Sequence, residues 1–318
     1  MKKSYRTAVI GKGLWGQKII AALEKLPEAV LAYIETHNYQ KLILKKDIDA
    51  IIVATPASTH ARVALPFIKQ GLPVFIEKPM TTNLADAKRL EAAAQKSWSL
   101  VFVGHIHLYN PAYKKVKELV KKIGPVRFLY GEGSSNGPYR NDISAMWDWA
   151  PHDIAMMLDL IDSRPISVQA WGVSSLRSNT KLHDTVYIKL SFSNGTAGFI
   201  FNSWLFPEKR KRLTIIGQKS SIIFDDTAEQ KLTLYENMGP ALKKNKNITE
   251  VLRKEPEIIH PSYDQGAPLT LELRSFFRNI RLKEKPKTGV KEGIAVVEIL
   301  EAAEKSINQD GRLVSTNK

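Results

Sequence analysis

The sequence contains no cysteine, no long apolar run and too few acidic residues to balance its basic ones. The absence of cysteine excludes disulfides, thiolate metal ligands and a cysteine nucleophile. No stretch approaches the roughly 20 apolar residues that a bilayer-spanning helix needs. The basic start of the chain is followed only by the short apolar run Ala8-Val9-Ile10, which is not a signal-peptide core. We therefore expect a cytoplasmic protein with no membrane partner.

The shortage of acidic residues leaves a large positive charge. The 318 residues include 47 Lys+Arg against 32 Asp+Glu, a formal charge of +15 with a pI near 9.7. Such a balance suits a phosphate-bearing ligand, nucleic acid, or simply a solvated basic surface. No helix-turn-helix, zinc module or RNA-binding aromatic motif accompanies it, and the basic residues are dispersed. We predict no nucleic-acid partner and favour the solvated surface.

The first third of the chain alternates between strand-like and helical patterns. An apolar run at Thr7–Gly11 precedes Leu14–Leu26, where apolar residues recur at helical spacing. The apolar end of Asp47–Ala54 is β-branched and unbroken, which is typical of a strand buried on both faces. This alternation predicts a parallel sheet flanked by helices. Further strands are predicted at Val30–Ile34, Pro73–Ile76 and Leu100–Gly104, and helices at Ser58–Gln70 and Leu84–Lys96.

After Pro111 the pattern changes to a series of strand-like runs. The turn Ser193-Asn194-Gly195 between two of them predicts a hairpin. We expect a large, mostly antiparallel sheet, with a long loop or an excursion at Pro240–Gly266. A basic amphipathic helix is predicted at Ala112–Lys122, and the strands at Val126–Tyr130, Ile166–Trp171, Thr185–Phe192, Thr196–Trp204, Arg212–Ile215, Ser220–Phe224 and Lys231–Tyr235.

Together these patterns predict a two-domain α/β protein, which suits a chain of 318 residues. Residues 1–105 would form a Rossmann-type dinucleotide-binding domain. Residues 106–318 would form an α+β domain for substrate binding and oligomerisation, around the open sheet. Helices at Leu269–Ile280 and Val290–Ile307 close the chain, and the last is expected to pack back on the first domain.

Residues Gly11–Gly16 form a G-x-G-x-x-G pattern between a predicted strand and a predicted helix. In that context the pattern indicates dinucleotide binding, although a plain glycine turn is the alternative. The first glycine would allow the tight turn, the second would let a pyrophosphate approach the backbone, and the third would let helix and strand pack closely. The N–H groups at the helix start would face the phosphates.

Glu35 lies 19 residues after Gly16, at the end of the second predicted strand. An acid there binds the adenosine ribose hydroxyls and favours NAD over NADP, although a solvated loop carboxylate would look the same. Asp47, at the start of the next strand, follows only 12 positions later, so this half of the domain is abbreviated. NAD is the predicted cofactor, and NADP is not excluded.

Two further signals indicate proton transfer. Lys78 follows a strand at the edge where open parallel sheets bind ligands, although a surface lysine in a turn is the ordinary reading. Because proline is tolerated in the first turn of a helix, we expect Pro151 to begin one, with Asp148 just before it and His152 inside. A carboxylate orients a neighbouring imidazole and raises its basicity, so the pair could take the proton of an alcohol. A helix-start Asp and a partly buried His are the alternative, and Asp153 fits a first-turn dipole partner.

Five short motifs follow one another along the chain: Gly11–Gly16, Ala54-Thr55-Pro56 with His60, Glu77-Lys78-Pro79, Gly104 with Asn110-Pro111, and Asp148-x-x-x-His152. In this order they resemble the Gfo/Idh/MocA oxidoreductases (glucose–fructose oxidoreductase, inositol dehydrogenase and relatives). The resemblance spans nearly the whole chain. It implies a Rossmann domain followed by an open sheet used for substrate and oligomer contacts.

The resemblance also implies roles for individual residues. Lys78 would relay protons and bind the reacting hydroxyl, Asp148 would bind substrate, and His152 would be the base. The residues expected at the cofactor are Gly11, Lys12, Gly13, Leu14, Trp15, Gly16, Glu35, Thr55, Pro56, His60, Glu77, Lys78 and Pro79. The expected substrate contacts are Lys78, His105, Tyr139, Arg140, Asp148 and His152, and no metal site is expected.

Three stretches, Trp147–Asp153, Ser203-Trp204-Leu205 and Lys209–Arg212, are similar to a subgroup associated with nucleotide sugars of surface polysaccharides or lipid A. We therefore predict an NAD(P)-dependent enzyme that oxidises a ring hydroxyl to a ketone, such as a 3-dehydrogenase of a UDP-linked amino sugar. Dehydrogenation of a free sugar or inositol is the alternative, and a nicotinamide-binding regulator without turnover is another. A homo-oligomer, dimer or tetramer, is expected through the C-terminal sheet, because a sheet face without helices needs a cover.

Overall fold

The chain forms two compact units, each assembled from three segments. The computed structural model describes residues 4–177, 180, 182–237, 241–245, 248–252 and 255–316, with backbone alone for 241–245 and 248–252. The first unit holds Met1–Asn110, Arg140–Ala155 and Gly266–Ala302. The second holds Pro111–Tyr139, Met156–Gln265 and Ala303–Lys318.

The core of the first unit is a five-stranded parallel sheet in the order β2-β1-β3-β4-β5. Every residue of the two central strands β3 and β4 is buried, as the unbroken apolar runs predict. Helices follow β1, β3 and β4, which confirms the predicted alternation. The strands are β1 (Tyr5–Ile10), β2 (Ala29–Glu35), β3 (Ala50–Val53), β4 (Val74–Glu77) and β5 (Val101–Gly104), and the helices α1 (Leu14–Leu23), α2 (His60–Lys69) and α3 (Leu84–Ser97).

The segment between β2 and β3 is short, as predicted. It holds a single 3₁₀ turn at Tyr39–Leu44 in place of a helix and a further strand. Asp47 secures its far end, because its carboxylate accepts hydrogen bonds from Arg6 Nη2 at 2.7 Å and from Tyr33 Oη at 2.9 Å. The connection from β2 to β3 is therefore built from a turn.

The last segment of the first unit covers its sheet with aromatic side chains. Phe276 of α6 (Pro268–Leu282) meets Phe75 of β4 and Phe102 of β5 edge-on, with ring centroids 5.8 and 5.7 Å apart. Phe277, the next residue, stacks on Tyr5 of β1 at 5.8 Å. Buried aromatic pairs of this kind add about 0.5–1.5 kcal/mol each beyond the area they bury.

The second unit is built on a nine-stranded sheet in the order β15-β12-β11-β10-β6-β9-β8-β7-β16. Among its described pairs, β6 and β9 run parallel and the others antiparallel, so the predicted large, mostly antiparallel sheet is confirmed. The strands are β6 (Val126–Asn136), β7 (Pro165–Val173), β8 (Thr185–Phe192), β9 (Ala197–Ser203), β10 (Leu205–Gly217), β11 (Ser221–Asp225), β12 (Leu232–Glu236), β15 (Glu257–Ile259) and β16 (Val314–Ser315).

Two predictions for this unit have different outcomes. The hairpin at Ser193-Asn194-Gly195 joins β8 to β9, and Gly195 takes the left-handed φ of +82° that the turn needs. The long loop predicted over Pro240–Gly266 is wrong where the structure describes strands, at β13 (Ala241–Asn245), β14 (Ile248–Leu252) and β15, whereas 260–266 form no helix or strand. The sequence of β13 shows no alternation of apolar and polar residues, so its pairing with β14 could not be predicted from the pattern.

Helix α5 (Ala145–Ile161) corrects the role predicted for Pro151. The proline lies inside this helix and does not begin it. Buried apolar residues on both sides, including Met146, Trp147 and Ile154, keep the helix packed, so the loss of one N–H donor is tolerated. Asp148 and His152 therefore stand on consecutive turns of one helix, and Asp153 is outside its first turn.

Two more helices complete the described elements: α4 (Pro111–Val120) in the second unit, and α7 (Val290–Ile307), most of which belongs to the first unit. The carboxylate of Glu301 in α7 accepts a hydrogen bond from the backbone N–H of Leu84 at 2.6 Å. Within the described residues, none of the helices combines the length and the apolar character needed to cross a membrane.

Candidate functional site

The three glycines of the turn between β1 and α1 differ in what surrounds them. A Cβ on Gly11 would overlap the Ala54 carbonyl, and its φ of +107° disfavours any other residue. A Cβ on Gly16 would overlap the carbonyl of Gly11. Gly13 has no atom within 4 Å of where a Cβ would stand. Two glycines are thus required by the fold, while the third leaves the backbone approachable from outside.

The start of α1 is suited to an anionic ligand. Gly13 occupies its N-cap and supplies no side-chain hydrogen bond, so the first N–H groups lack that partner. Leu14 is 81% exposed beside it. The backbone N–H of Gly11 donates to the carbonyl of Glu35 at 2.8 Å, which brings the end of β2 to the turn. The geometry fits a dinucleotide whose pyrophosphate lies over Gly13.

His60 joins the loops after β3 and β4. Its Nδ1 lies 2.8 Å from the carbonyl oxygen of Pro79, and its Nε2 lies 2.8 Å from that of Thr55. Burial lowers the pKa of the imidazole, although the two carbonyls act in the opposite direction. The side chain predicted at the cofactor therefore fixes the backbone of two loops that are also predicted there.

Glu77, the last residue of β4, is buried. Its carboxylate accepts hydrogen bonds from the indole N–H of Trp15 and from the backbone N–H of Lys78. Burial raises its pKa to about 7, against the lowering effect of these donors. Gly104 of β5 leaves room for it, because a Cβ there would stand 3.1 Å from Glu77 Oε1.

A second buried carboxyl, Glu272 of α6, was not predicted. It is fully buried, and neither oxygen has a hydrogen-bond partner among the described residues. Burial raises its pKa well above the usual range, and the charge of Glu77 adds to this effect. Nothing in the sequence around Glu272 distinguishes it from the exposed acids of other helices.

Lys78 reaches from the edge of the sheet to the first turn of α5. Its Nζ donates to the backbone carbonyl of Asp148 at 2.7 Å and lies 3.2 Å from Asp148 Oδ1. Both side chains are less than one-fifth exposed. The structure thus brings together two residues, 70 positions apart, that were predicted separately.

Arg140 lies on the other side of the same carboxylate. Its Nη1 is 3.4 Å from Asp148 Oδ1, and its Nε and Nη2 donate to Asp142 at 3.0 and 2.8 Å. Asp142 was not predicted as a site residue. An Arg and an Asp two positions apart are common in surface loops, so the sequence contained no signal for it.

Two histidines, His105 and His107, follow the end of β5. His105, directly after β5, is 2% exposed, and neither ring nitrogen has a hydrogen-bond partner among the described residues. Burial, with the charge of Lys78, lowers its pKa to about 4. His107 meets His152 edge-on, with ring centroids 4.8 Å apart. His107 was missed by sequence reasoning, although two histidines close behind a strand offered a signal.

Two further features of the sequence belong to the second unit. Tyr139 belongs to the second unit, where its hydroxyl donates to Asn136. The basic run Lys209–Arg212 is part of β10, and its arginines face carboxylates of the same unit. Arg210 lies 3.0 Å from Glu132, and Arg212 lies 2.9 Å from Asp225.

Comparison with known proteins gives two family matches. Residues 24–105 match the model of an oxidoreductase family described as having an NAD-binding Rossmann fold. Residues 113–223 match the GFO/IDH/MocA C-terminal domain. Together the two matches cover more than half of the chain.

The similar proteins include dehydrogenases named for two different classes of substrate. A UDP-N-acetylglucosamine 3-dehydrogenase from Acidithiobacillus ferrooxidans is 30% identical over 176 residues, which is 55% of this chain and 55% of that protein. A myo-inositol 2-dehydrogenase from Thermotoga maritima is 25% identical over 87% of this chain and 82% of its own. A crystal structure of a protein from Magnetospirillum magnetotacticum, classed as an oxidoreductase, has a TM-score of 0.81 and 29% identity over 95% of this chain and all of its own.

Proposed function

Because the chain belongs to the Gfo/Idh/MocA oxidoreductase family, whose first domain binds NAD, we propose that it is a dehydrogenase that oxidises a ring hydroxyl to a ketone. The substrate we propose is a nucleotide sugar, such as a UDP-linked amino sugar oxidised at position 3. The observation that carries the proposal is the contact of Lys78 with Asp148 in the unit that holds the glycine turn.

Bound NAD would supply the hydride acceptor. The residues that would hold it are the glycine turn, with Gly13 open to the pyrophosphate, and the loops that His60 joins. Glu77 and Trp15 fix the end of β4 beside that turn. These residues would bind the cofactor and orient it.

Residues of α5 and the residue directly after β4 transfer the hydroxyl proton of the substrate. An alcohol that gives up a hydride also loses its hydroxyl proton. Lys78 binds that hydroxyl and relays its proton: as the ammonium passes a proton to His152, one turn after Asp148, it takes up the proton of the alcohol. Asp148 holds the Lys78 ammonium through its backbone and side-chain oxygens, so the lysine is presented in a fixed position. His105, whose pKa burial lowers to about 4, is a further predicted substrate contact, as is Tyr139.

A second candidate substrate is inositol or a free sugar. It is favoured by the Thermotoga maritima relative, whose alignment covers most of both chains. The nucleotide-sugar relative matches over only about half of each chain. The same residues would perform the same oxidation on either substrate class, so the difference lies in which groups outside the reacting ring are bound.

Thermal-shift measurements with NAD, NADP, UDP-sugars, free sugars and inositols test the proposal. Each ligand that stabilises the protein would then be assayed for nicotinamide reduction by absorbance. We expect reduction with a nucleotide sugar. Reduction with inositol alone would contradict the proposed substrate, and stabilisation by NAD without turnover on any polyol would contradict the proposed activity.

NAD is expected to bind more tightly than NADP, because the Glu35 carboxylate would repel a 2′-phosphate. Calorimetry on the wild type and Glu35→Ser measures this, and the variant should bind NADP several-fold more tightly. Glu24→Gln, an exposed acid at the opposite end of α1, is the control and should leave both affinities unchanged. Equal wild-type affinities for the two cofactors would reject the assignment of Glu35.

Self-association is expected through the open face of the nine-stranded sheet, where large side chains are exposed in neighbouring strands. Tyr187 is 53% exposed, and Phe128 and Phe199, with ring centroids 6.3 Å apart, are 38% and 39% exposed. An apolar patch of this kind is typical of an interaction surface. Light scattering should show an oligomer that Phe199→Lys dissociates, whereas Leu44→Lys, at an exposed apolar residue of the first unit, leaves it intact. A monomeric wild type at micromolar concentration would reject the interface.

A further inference from the structure

One carboxylate oxygen in the candidate site lies between two cations. Asp148 Oδ1 is 3.2 Å from Lys78 Nζ and 3.4 Å from Arg140 Nη1. The side chains of Lys78 and Asp148 are 19% and 18% exposed, so water screens their interaction only in part. The negative charge that holds Lys78 is therefore shared with a second positive group.

Arg140 is held in this position from its other side. Its Nε and Nη2 donate to the two different oxygens of Asp142, at 3.0 and 2.8 Å. Two parallel hydrogen bonds of this kind fix the plane of a guanidinium as well as its position. The third nitrogen, Nη1, is the one turned towards Asp148. Asp142 thus sets the orientation in which Arg140 meets the site.

We propose that Arg140 is a positioning residue that offsets the charge of Asp148 at Lys78, so that the lysine ammonium can release and regain its proton during the reaction. The inference rests on the proposed function only in assigning proton transfer to Lys78. It differs from a substrate contact, because the effect of Arg140 passes through Asp148 and Lys78.

Other charged and titratable groups also surround Lys78. The carboxyl of Glu77, the last residue of β4, accepts a hydrogen bond from the backbone N–H of Lys78, and its charge would add to that of Asp148 in favouring the ammonium. Burial lowers the pKa of His105 after β5 and of His60 of α2, and the charge of Lys78 acts in the same direction on both. Arg140 is a cation placed against Asp148, and its charge also reaches His60.

The reactivity of the Lys78 amine tests the inference without turnover. Trace acetylation at about pH 8.5 reacts only with the neutral amine, so its rate reports how readily the ammonium loses its proton. Arg140→Gln should slow the labelling of Lys78 about three- to tenfold relative to exposed Lys88, because one neighbouring positive charge is removed. Arg140→Lys keeps the charge but loses the paired hydrogen bonds to Asp142, so its labelling rate should lie between those of Arg140→Gln and the wild type. Unchanged or faster labelling in Arg140→Gln would overturn the inference.

Turnover gives a second, independent readout. In Arg140→Gln, we expect the rising limb of kcat against pH to move to higher pH, while KM changes little. A raised KM with an unmoved pH profile would overturn the inference and make Arg140 a substrate contact. Arg89→Gln, at a surface arginine paired with Asp86, is the control and should match the wild type. If the wild type turns over no sugar, the proposed function fails, and the labelling experiment still decides the role of Arg140.

Discussion

Lys78→Ala and His152→Ala should each lower turnover by about 10²–10⁴, the usual contribution of a positioned acid or base. Cofactor affinity should stay nearly intact, because the glycine turn and the loops joined by His60 do not depend on either side chain. Stopped-flow measurement of nicotinamide reduction on the substrate found by the thermal-shift screen provides the rates. NAD affinity, measured in parallel by quenching of tryptophan fluorescence, separates binding from chemistry.

The double variant should lose less than the product of the two single effects, because groups that act in one proton relay are not additive. Lys88→Ala, an exposed lysine of α3, is the matched control and should keep wild-type turnover. If His152→Ala keeps near-wild-type turnover, the proton acceptor is another group. His107, whose ring meets that of His152, would then be the next residue to replace.

Gly13→Val should abolish detectable NAD binding while the chain still folds. The space where its side chain would stand contains no protein atom within 4 Å, so the fold accommodates it and a pyrophosphate approaching the backbone meets it. Calorimetry with NAD and thermal unfolding of the free protein measure the two effects. Unchanged NAD affinity in the folded variant would show that the pyrophosphate binds elsewhere.

Two matched variants sharpen that result. Gly11→Val should destabilise the free protein, because its side chain would overlap the Ala54 carbonyl at a φ of +107°. Ala21→Val, on the exposed face of α1, should leave NAD affinity unchanged. Substitution by valine would then lower stability at Gly11, remove NAD binding at Gly13 and do neither at Ala21.

The parallel sheet and the glycine turn were predictable because their signals are local. A buried parallel strand such as β3 is an unbroken β-branched run, and the turn after β1 is a fixed spacing of glycines. Strand β10 was predicted only at Arg212–Ile215, yet it spans Leu205–Gly217. Its charged half, Lys209–Arg212, shows no apolar alternation, since its arginines are paired with carboxylates of neighbouring strands.

For the candidate site, motifs named residues but not their arrangement. The motifs named Lys78, Asp148 and His152, but the helix that carries the last two begins at Ala145, before the proline expected to start it. The contact between Lys78 and Asp148 comes from tertiary packing across 70 positions, which one sequence does not encode at any recognisable spacing. The Arg140–Asp142 pair is local, but nothing in its spacing distinguishes it from pairs in surface loops. Glu272 illustrates the same limit, because its burial depends on where α6 packs.

The aromatic side chains with which α6 covers the parallel sheet have a consequence for the chain during its synthesis. Strands β1 to β5 leave the ribosome well before Phe276 and Phe277, which pack on Phe75, Phe102 and Tyr5. Until then the nascent sheet presents an apolar surface, a state prone to aggregation. The N-terminal segment is thus expected to depend on chaperones during translation, and expression of residues 1–110 alone should give insoluble product.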